Sequence, residues 1–332
     1  MESYTFELKN NVFGYFQKEG NDCFIYIDAG PYSKVNYHQW SHWLRGENNY
    51  NETYPDAIDN DQVSKAIGYF SWNQAYDYCP YYPIVINLSQ KTESGTFSPR
   101  INRGEPNLFS HHYANTQMLD EIRAFSNICN SLNELFNHIN PDTLNLNCFG
   151  SKIREILIIA CTEVEYLLQN FLVDNKYPST TRFSTNDYIK SLSLLKLNNY
   201  STKLVFYPQL QEWSPFSDWD VTHPTVSLVW YDAYNAVKHN RGVNRQKASL
   251  KTVIDAVAAI HILLEAQYGQ EIFNSPTQSN FYSIFKTVQH PIFSVDELQC
   301  PIMSQSEILW NHKQYLFLQS DIHALAATVR CG

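Results

Sequence analysis

The chain has 332 residues, 44% of them hydrophobic, and a formal net charge of −9. That length can bury a sizeable core and divides into two or three domains, while the acidic balance argues against a protein that coats nucleic acid non-specifically. Seven scattered cysteines with no Cys-x-x-Cys pair argue against a zinc or disulfide framework and fit a reducing compartment. The N-terminus, Met1-Glu2-Ser3-Tyr4-Thr5-Phe6-Glu7, lacks the basic-then-apolar order of a secretory leader. No apolar run approaches the ~18 residues that span a bilayer. A soluble, cytoplasmic protein without membrane contact is expected.

Residues 1–112 read as a β-rich domain. Ser3–Leu8, Val12–Gln17 and Cys23–Ala29 alternate or carry β-branched and aromatic residues, with Asn10-Asn11 and Glu19-Gly20-Asn21-Asp22 as turns between them. His38 to Arg45 is expected to be a short helix with an apolar patch of Trp40, Trp43 and Leu44, and Tyr82–Leu88 a further strand. The loops joining these pieces read as long and polar. Thr92 to Leu108, with Ser, Gly, Pro and Arg, reads as an exposed connection.

From Asn115 the period changes. Met118, Ile122, Phe125, Cys129, Leu132 and Phe136 recur at three- and four-residue spacing, the pattern of an amphipathic helix. Phe149 to Val173 is a second and stronger helix, and Thr185 to Leu195 a third, with Thr185 as its cap. Lys203 to Trp219 is a connection bearing Pro and Trp. A helix then starts at Pro224 or Thr225 and is ended by Gly242, and a last long apolar helix runs from Lys247 or Ala248 to Gly269. Residues 113–270 therefore read as a bundle of four or five helices. Residues 271–332 read as a short mixed tail, with pieces such as Phe281–Val288 and Tyr315–Gln319 packing on the neighbouring domains. The expected fold class is α+β.

Chemistry concentrates in Trp230-Tyr231-Asp232-Ala233-Tyr234-Asn235-Ala236-Val237-Lys238-His239-Asn240-Arg241. On a helix, Tyr231, Asn235, Lys238, His239 and Gly242 share one face, while Trp230, Tyr234, Val237 and Arg241 form a stripe expected to turn inward. Histidine is the side chain whose ordinary titration lies near neutrality, so His239 suits general acid–base work. Asn235 can orient an imidazole or a phosphate oxygen, and Lys238 or Arg241 can stabilise a pentacoordinate phosphorane. The segment Ser151–Tyr268 is close to neutral while its flanks hold the negative charge, and no acid interrupts Ala233 to Ile254. That basic run fits a phosphate-bearing substrate, with Arg245, Lys247 and Tyr231 as binding residues. A solvated helix end is the alternative. Glu163, in Ala160-Cys161-Thr162-Glu163-Val164-Glu165-Tyr166, sits among apolar neighbours and needs a cationic partner such as Lys238, His239 or Arg241, either to orient it for catalysis or to lock two helices. Glu165 is expected to face solvent.

An Ala-Cys-x-Glu-x-Glu helix, then Trp-Tyr-x-x-Tyr-Asn-x-x-Lys-His-x-Arg, then an Ala-rich helix from Ala248 through Ala258-Ala259-Ile260 resembles the HEPN superfamily, particularly divergent members of bacterial abortive-infection and anti-phage systems. The resemblance spans about residues 116–270. It implies a dimerising helical bundle with RNase activity in active members, metal-independent, using the 2′-hydroxyl of RNA as nucleophile and no cofactor. In active members a His follows the catalytic Arg by four to six residues; here His239 precedes Arg241, and Asn235 stands four before His239. What carries over is His239, with Lys238, Asn235 and Arg241 as its surroundings and Glu163 orienting the basic group. The implied partners are RNA as substrate, a second copy of the bundle, and a phage-derived trigger or partner protein at the N-terminal domain. The alternative is a non-catalytic module that binds nucleotide, nucleic acid or protein. His111-His112 and His38/His42 lack the carboxylate or cysteine that would complete a metal site. Trp40 and Trp43 read as core more than as a base-stacking platform.

Overall fold

The computed structural model describes residues 1–9, 11–27, 34–57, 61–74, 83–91, 116–175, 177–178, 182–269, 272–273 and 283–298. The fold is α+β, an antiparallel sheet followed by helices. The chain forms two compact units, Met1–Ala114 with Phe293–Gly332, and Asn115–Ile292.

In the first unit, β1 (Glu2–Leu8), β2 (Val12–Glu19), β3 (Asp22–Ile27), β4 (Lys34–Gln39) and β5 (Val85–Lys91) form one sheet in the order β4-β3-β2-β1-β5. Every neighbouring pair is antiparallel. The chain reverses at Asn11 and Gly20, both at φ 60°, a conformation that Asn tolerates and Gly adopts freely. Asn10 and residues 28–29 of the third expected strand lie outside the described residues.

Tyr4, Phe6, Leu8, Phe16 and Ile25 point to one face and pack against α1 (Trp40–Thr53) and α2 (Gln62–Gln74). The helix expected over His38 to Arg45 begins two residues later and runs on to Thr53, because His38 belongs to β4. There its ring stacks on Phe70 at 4.5 Å, and burial, aided by His42, pushes it down to about 3. Trp43 is fully buried core, and Lys18 Nζ lies 4.9 Å over the Trp40 ring. Helix α2 falls where a polar loop is expected. Its signal was Val63, Ala66, Ile67 and Phe70 at three- and four-residue spacing. Gly68 lets the two helices meet closely, since a Cβ there would lie 2.1 Å from the Tyr50 hydroxyl, which donates to the Pro83 carbonyl at 2.6 Å.

The second unit is built around α9 (Leu250–Tyr268), which is buried along nearly its whole length. It packs on α3 (Thr116–Phe136), α4 (Ser151–Asp174) and α7 (Val229–His239). The backbone N–H groups of Leu250 and Lys251 donate to the carbonyls of Cys148 and Leu146, so α4 and α9 start from the same end. By length and composition α4 could cross a bilayer, yet half of that stretch is buried inside the unit, as in a core helix. The expected third helix is two short pieces, α5 (Thr185–Tyr188) and α6 (Lys190–Leu195). Its cap is Ser184, whose backbone N–H donates to Asp187 at 2.8 Å. A two-stranded sheet of β6 (Ser201–Leu204) and β7 (Phe285–Gln289) completes the unit. His261 and Glu265 of α9 meet Thr287 of β7, and Ser283 meets His261 Nδ1 at 2.9 Å. The segments 92–108 and 315–319, and His111-His112, lie outside the described residues.

Candidate functional site

Helix α7 carries the motif, but it is shorter than expected at both ends. It starts at Val229 and stops at His239, where Asn240 leaves helical geometry with φ −141° and ψ 79°. Arg241, Gly242 and Val243 therefore fall on a separate one-turn helix, α8 (Arg241–Asn244). Gly242 ends nothing, and Arg241, expected in the inward stripe, is exposed.

Trp230, Tyr234 and Val237 do turn inward. The Trp230 indole N–H donates to the Pro215 carbonyl at 2.9 Å, and its ring meets Phe216 edge-on at 6.0 Å. The connection bearing Pro and Trp is thus the bed of the motif helix. Tyr231, expected on the open face, is only 7% exposed.

The carboxylate that meets α7 is Glu165, not Glu163. Tyr231 donates to Glu165 at 2.5 Å, Tyr234 donates to its other oxygen at 3.4 Å, and Lys238 donates to the Tyr234 hydroxyl at 2.7 Å. The Tyr234 bond raises the Lys238 ammonium above its ordinary value, against burial, which opposes it. Burial, followed by the bond to Glu165, raises the Tyr231 phenol well above its ordinary range. Cys161 is buried, and burial, reinforced by Glu165, pushes its thiol far up, so it is an inert core thiol.

Glu163 lies about 200° round α4 from Glu165, as helical geometry requires of positions two apart. It comes near Glu121 of α3 instead, and its Oε1 is buried with no hydrogen-bond partner among the described residues. Burial, with Glu121 adding to it, pushes Glu163 up to about 7. Glu121 itself accepts from Gln117 at 3.0 Å and from the Tyr268 hydroxyl.

Beside the α7–Glu165 connection lies an open cleft of about 600 Å³. Its wall on α7 is Tyr231, Asn235, Lys238 and His239, and α4 contributes Glu165 and Gln169. The chain entering α5 adds Arg182, Phe183, Ser184 and Thr185, with Tyr188 behind them. Thr185 and Thr225, also in the wall, share a hydroxyl hydrogen bond at 2.6 Å that joins two segments forty residues apart. Four residues singled out in the sequence, Tyr231, Asn235, Lys238 and His239, therefore meet in one place. Arg241, Arg245 and Lys247 do not line it; all three are exposed, and Lys247 pairs with Asp232 at 3.1 Å. Sequence reasoning missed Glu165, Gln169, Arg182, Phe183 and Thr225. Glu165 stands in the Ala-Cys-x-Glu-x-Glu motif but was expected to face solvent; the other four stand in no motif, and only the fold brings them to α7.

Lys238, Arg182 and His239 offer an anion two cations and an imidazole, while Glu165, the one carboxylate in the wall among the described residues, already accepts from two tyrosines. Such a cleft can bind a phosphate and exchange a proton with it. Among the described residues, no three His, Cys, Asp or Glu side chains converge as a metal-binding group. No protein-family model matches the chain, and no curated protein or solved structure is significantly similar to it.

Proposed function

We propose that the helical unit is a HEPN-like bundle that cleaves RNA without a metal, as the effector of a cytoplasmic anti-phage response. The observation that carries this reading is the convergence of His239, Lys238 and Asn235 with Arg182 on one open polar cleft. Tyr231, Asn235, Lys238 and His239 of the motif that resembles the superfamily line this cleft, while Arg241 does not.

In the proposed reaction the RNA 2′-hydroxyl attacks its neighbouring phosphorus and the P–O5′ bond breaks. The products are a 2′,3′-cyclic phosphate and a 5′-hydroxyl. His239 is the proton-transfer group, Asn235 positions the phosphate, and Lys238 stabilises the charge that builds on the phosphorane. Glu165 is a poor second base because two tyrosine hydroxyls already donate to it. Two proton transfers are needed, so the second imidazole is supplied by His239 of a second copy. The face of α4 beside Gln169 supports a homodimer: Ile159, Tyr166 and Val173 are 49%, 45% and 55% exposed there. The first unit is left to bind the trigger or partner protein.

The test is incubation of purified protein with RNA in a chelator, with product ends identified. Cleavage to cyclic phosphate ends, abolished by His239→Ala, is the expected result; equal cleavage by the variant removes His239 from the mechanism. A second reading has its own support. The relay from Lys238 through Tyr234 to Glu165 ties α7 to α4, as a structural knot in a non-catalytic binding module would. Absence of cleavage under any trigger, with RNA binding retained, selects that module.

A further inference from the structure

Among the cleft residues outside the motif are Arg182 and Phe183, both from the chain just before α5. Arg182 lies close enough to Lys238 for its charge to oppose the lysine's. Lys238 from α7 and Arg182 from the chain before α5 therefore set two cations from separate elements beside one cleft, an arrangement that attracts an anion.

Phe183 is half-buried in the same wall. Its ring is nearly parallel to that of Tyr188, at 12° and 6.4 Å between centroids, and Tyr188 is buried. The Thr185–Thr225 bond and the Ser184–Asp187 bond fix the backbone on which Phe183 sits. The ring is therefore held in place before any ligand arrives, as a stacking surface requires. Gln169 and Asn235 add amides that both donate and accept, so they can meet the edge of any base.

We propose that this cleft holds one unstacked nucleotide of a single-stranded RNA, its phosphate between Arg182 and Lys238 and its base against Phe183. The inference rests on the reading of the cleft as an RNA site, and it assigns Arg182 and Phe183 as binding residues beyond that reading. Its volume lies within the usual range for sites that enclose a small ligand. Bases in a duplex are already stacked and paired, so they cannot use the ring.

The experiment measures binding of a 2′-O-methyl single strand, the same sequence as a duplex, and a free mononucleotide to the full chain, across a salt series. The 2′-O-methyl group removes the nucleophile, so binding is read without cleavage. Wild-type protein binds the single strand at least about ten-fold tighter than the duplex or the mononucleotide. Phe183→Ala weakens that binding by about five- to a hundred-fold with the salt slope unchanged, and Phe183→Trp restores it. Arg182→Ala weakens binding and lowers the salt slope by about 0.7, the share of one phosphate contact on a single strand. Phe183→Leu, which keeps an apolar side chain in the wall, separates lost stacking from lost folding. Wild-type affinity in both Arg182→Ala and Phe183→Ala overturns the inference, as does equal binding of the duplex. A mononucleotide bound as tightly as the strand also overturns it, in favour of a free nucleotide. If these binding results hold while ordinary RNA stays intact, the nuclease reading fails alone. If RNA is cleaved while both variants bind like wild type, this inference fails alone.

Discussion

Replacing Glu265 with glutamine tests what holds β7 onto α9. Glu265 is 3% exposed, and its carboxylate lies 3.2 Å from His261 Nε2 and 3.1 Å from His290 Nδ1 while accepting from the Thr287 hydroxyl. Burial alone pushes the carboxyl up; the interactions with His261, His290 and Thr287 outweigh it and hold the group down to about 2, against an ordinary 4.5. A depression of that size corresponds to about 3 kcal/mol of stability at pH 7. The folded state takes up this proton later than the unfolded chain does. The contribution is therefore complete above the ordinary carboxylate value, falls to about 1 kcal/mol at pH 3, and is lost below about pH 2. Glutamine keeps the shape but not the charge. Glu265→Gln should therefore unfold about 3 kcal/mol more easily at pH 7 and about 1 kcal/mol more easily at pH 3. Urea unfolding followed by tryptophan fluorescence measures both gaps, and amide exchange along α9 locates them in the helical unit. A gap below about 0.5 kcal/mol at pH 7, or one unchanged at pH 3, would refute the reasoning, because surface substitutions already reach that size.

Glu163 behaves in the opposite sense. Its folded value is raised to about 7, so its favourable protonated state is present in acid and lost as pH rises through that value. Glu163→Gln should therefore be more stable than wild type at pH 8 and indistinguishable from it at pH 4, read as the difference in melting temperature at the two pH values. In the sheet unit, Gly68→Ala places a Cβ against the Tyr50 hydroxyl and the Pro83 carbonyl. It should cost about 1–3 kcal/mol by overpacking, measured by chemical denaturation, and no loss would mean that α1 and α2 can separate freely.

Much of the architecture was legible from pattern alone. The three N-terminal strands, the turns at Asn11 and Gly20, and α3, α4 and α9 all follow from local periodicity and turn chemistry. These signals lie within a few neighbouring residues, and their apolar faces are wide. Helix α2 was also written in its apolar spacing, but the polar residues around it masked the pattern. The ends of α7 were not legible: Pro224 and Gly242 suggested them, but the helix starts at Val229 and Asn240 breaks it two residues before the glycine.

At the site, the sequence by itself determined that Asn235, Lys238 and His239 share a helix face and that Trp230 and Tyr234 turn away from it. Tertiary structure decided which acid lies beneath them. Glu163 and Glu165 are two positions apart, so they leave α4 in nearly opposite directions, and only the packing of α7 and α3 around that helix selects Glu165 for one and Glu163 for the other. The fold likewise brings Arg182 and Phe183 beside a motif that begins at Trp230, far downstream in the chain. Periodicity fixes the direction of a side chain relative to its own helix; what that side chain meets depends on which helices pack together.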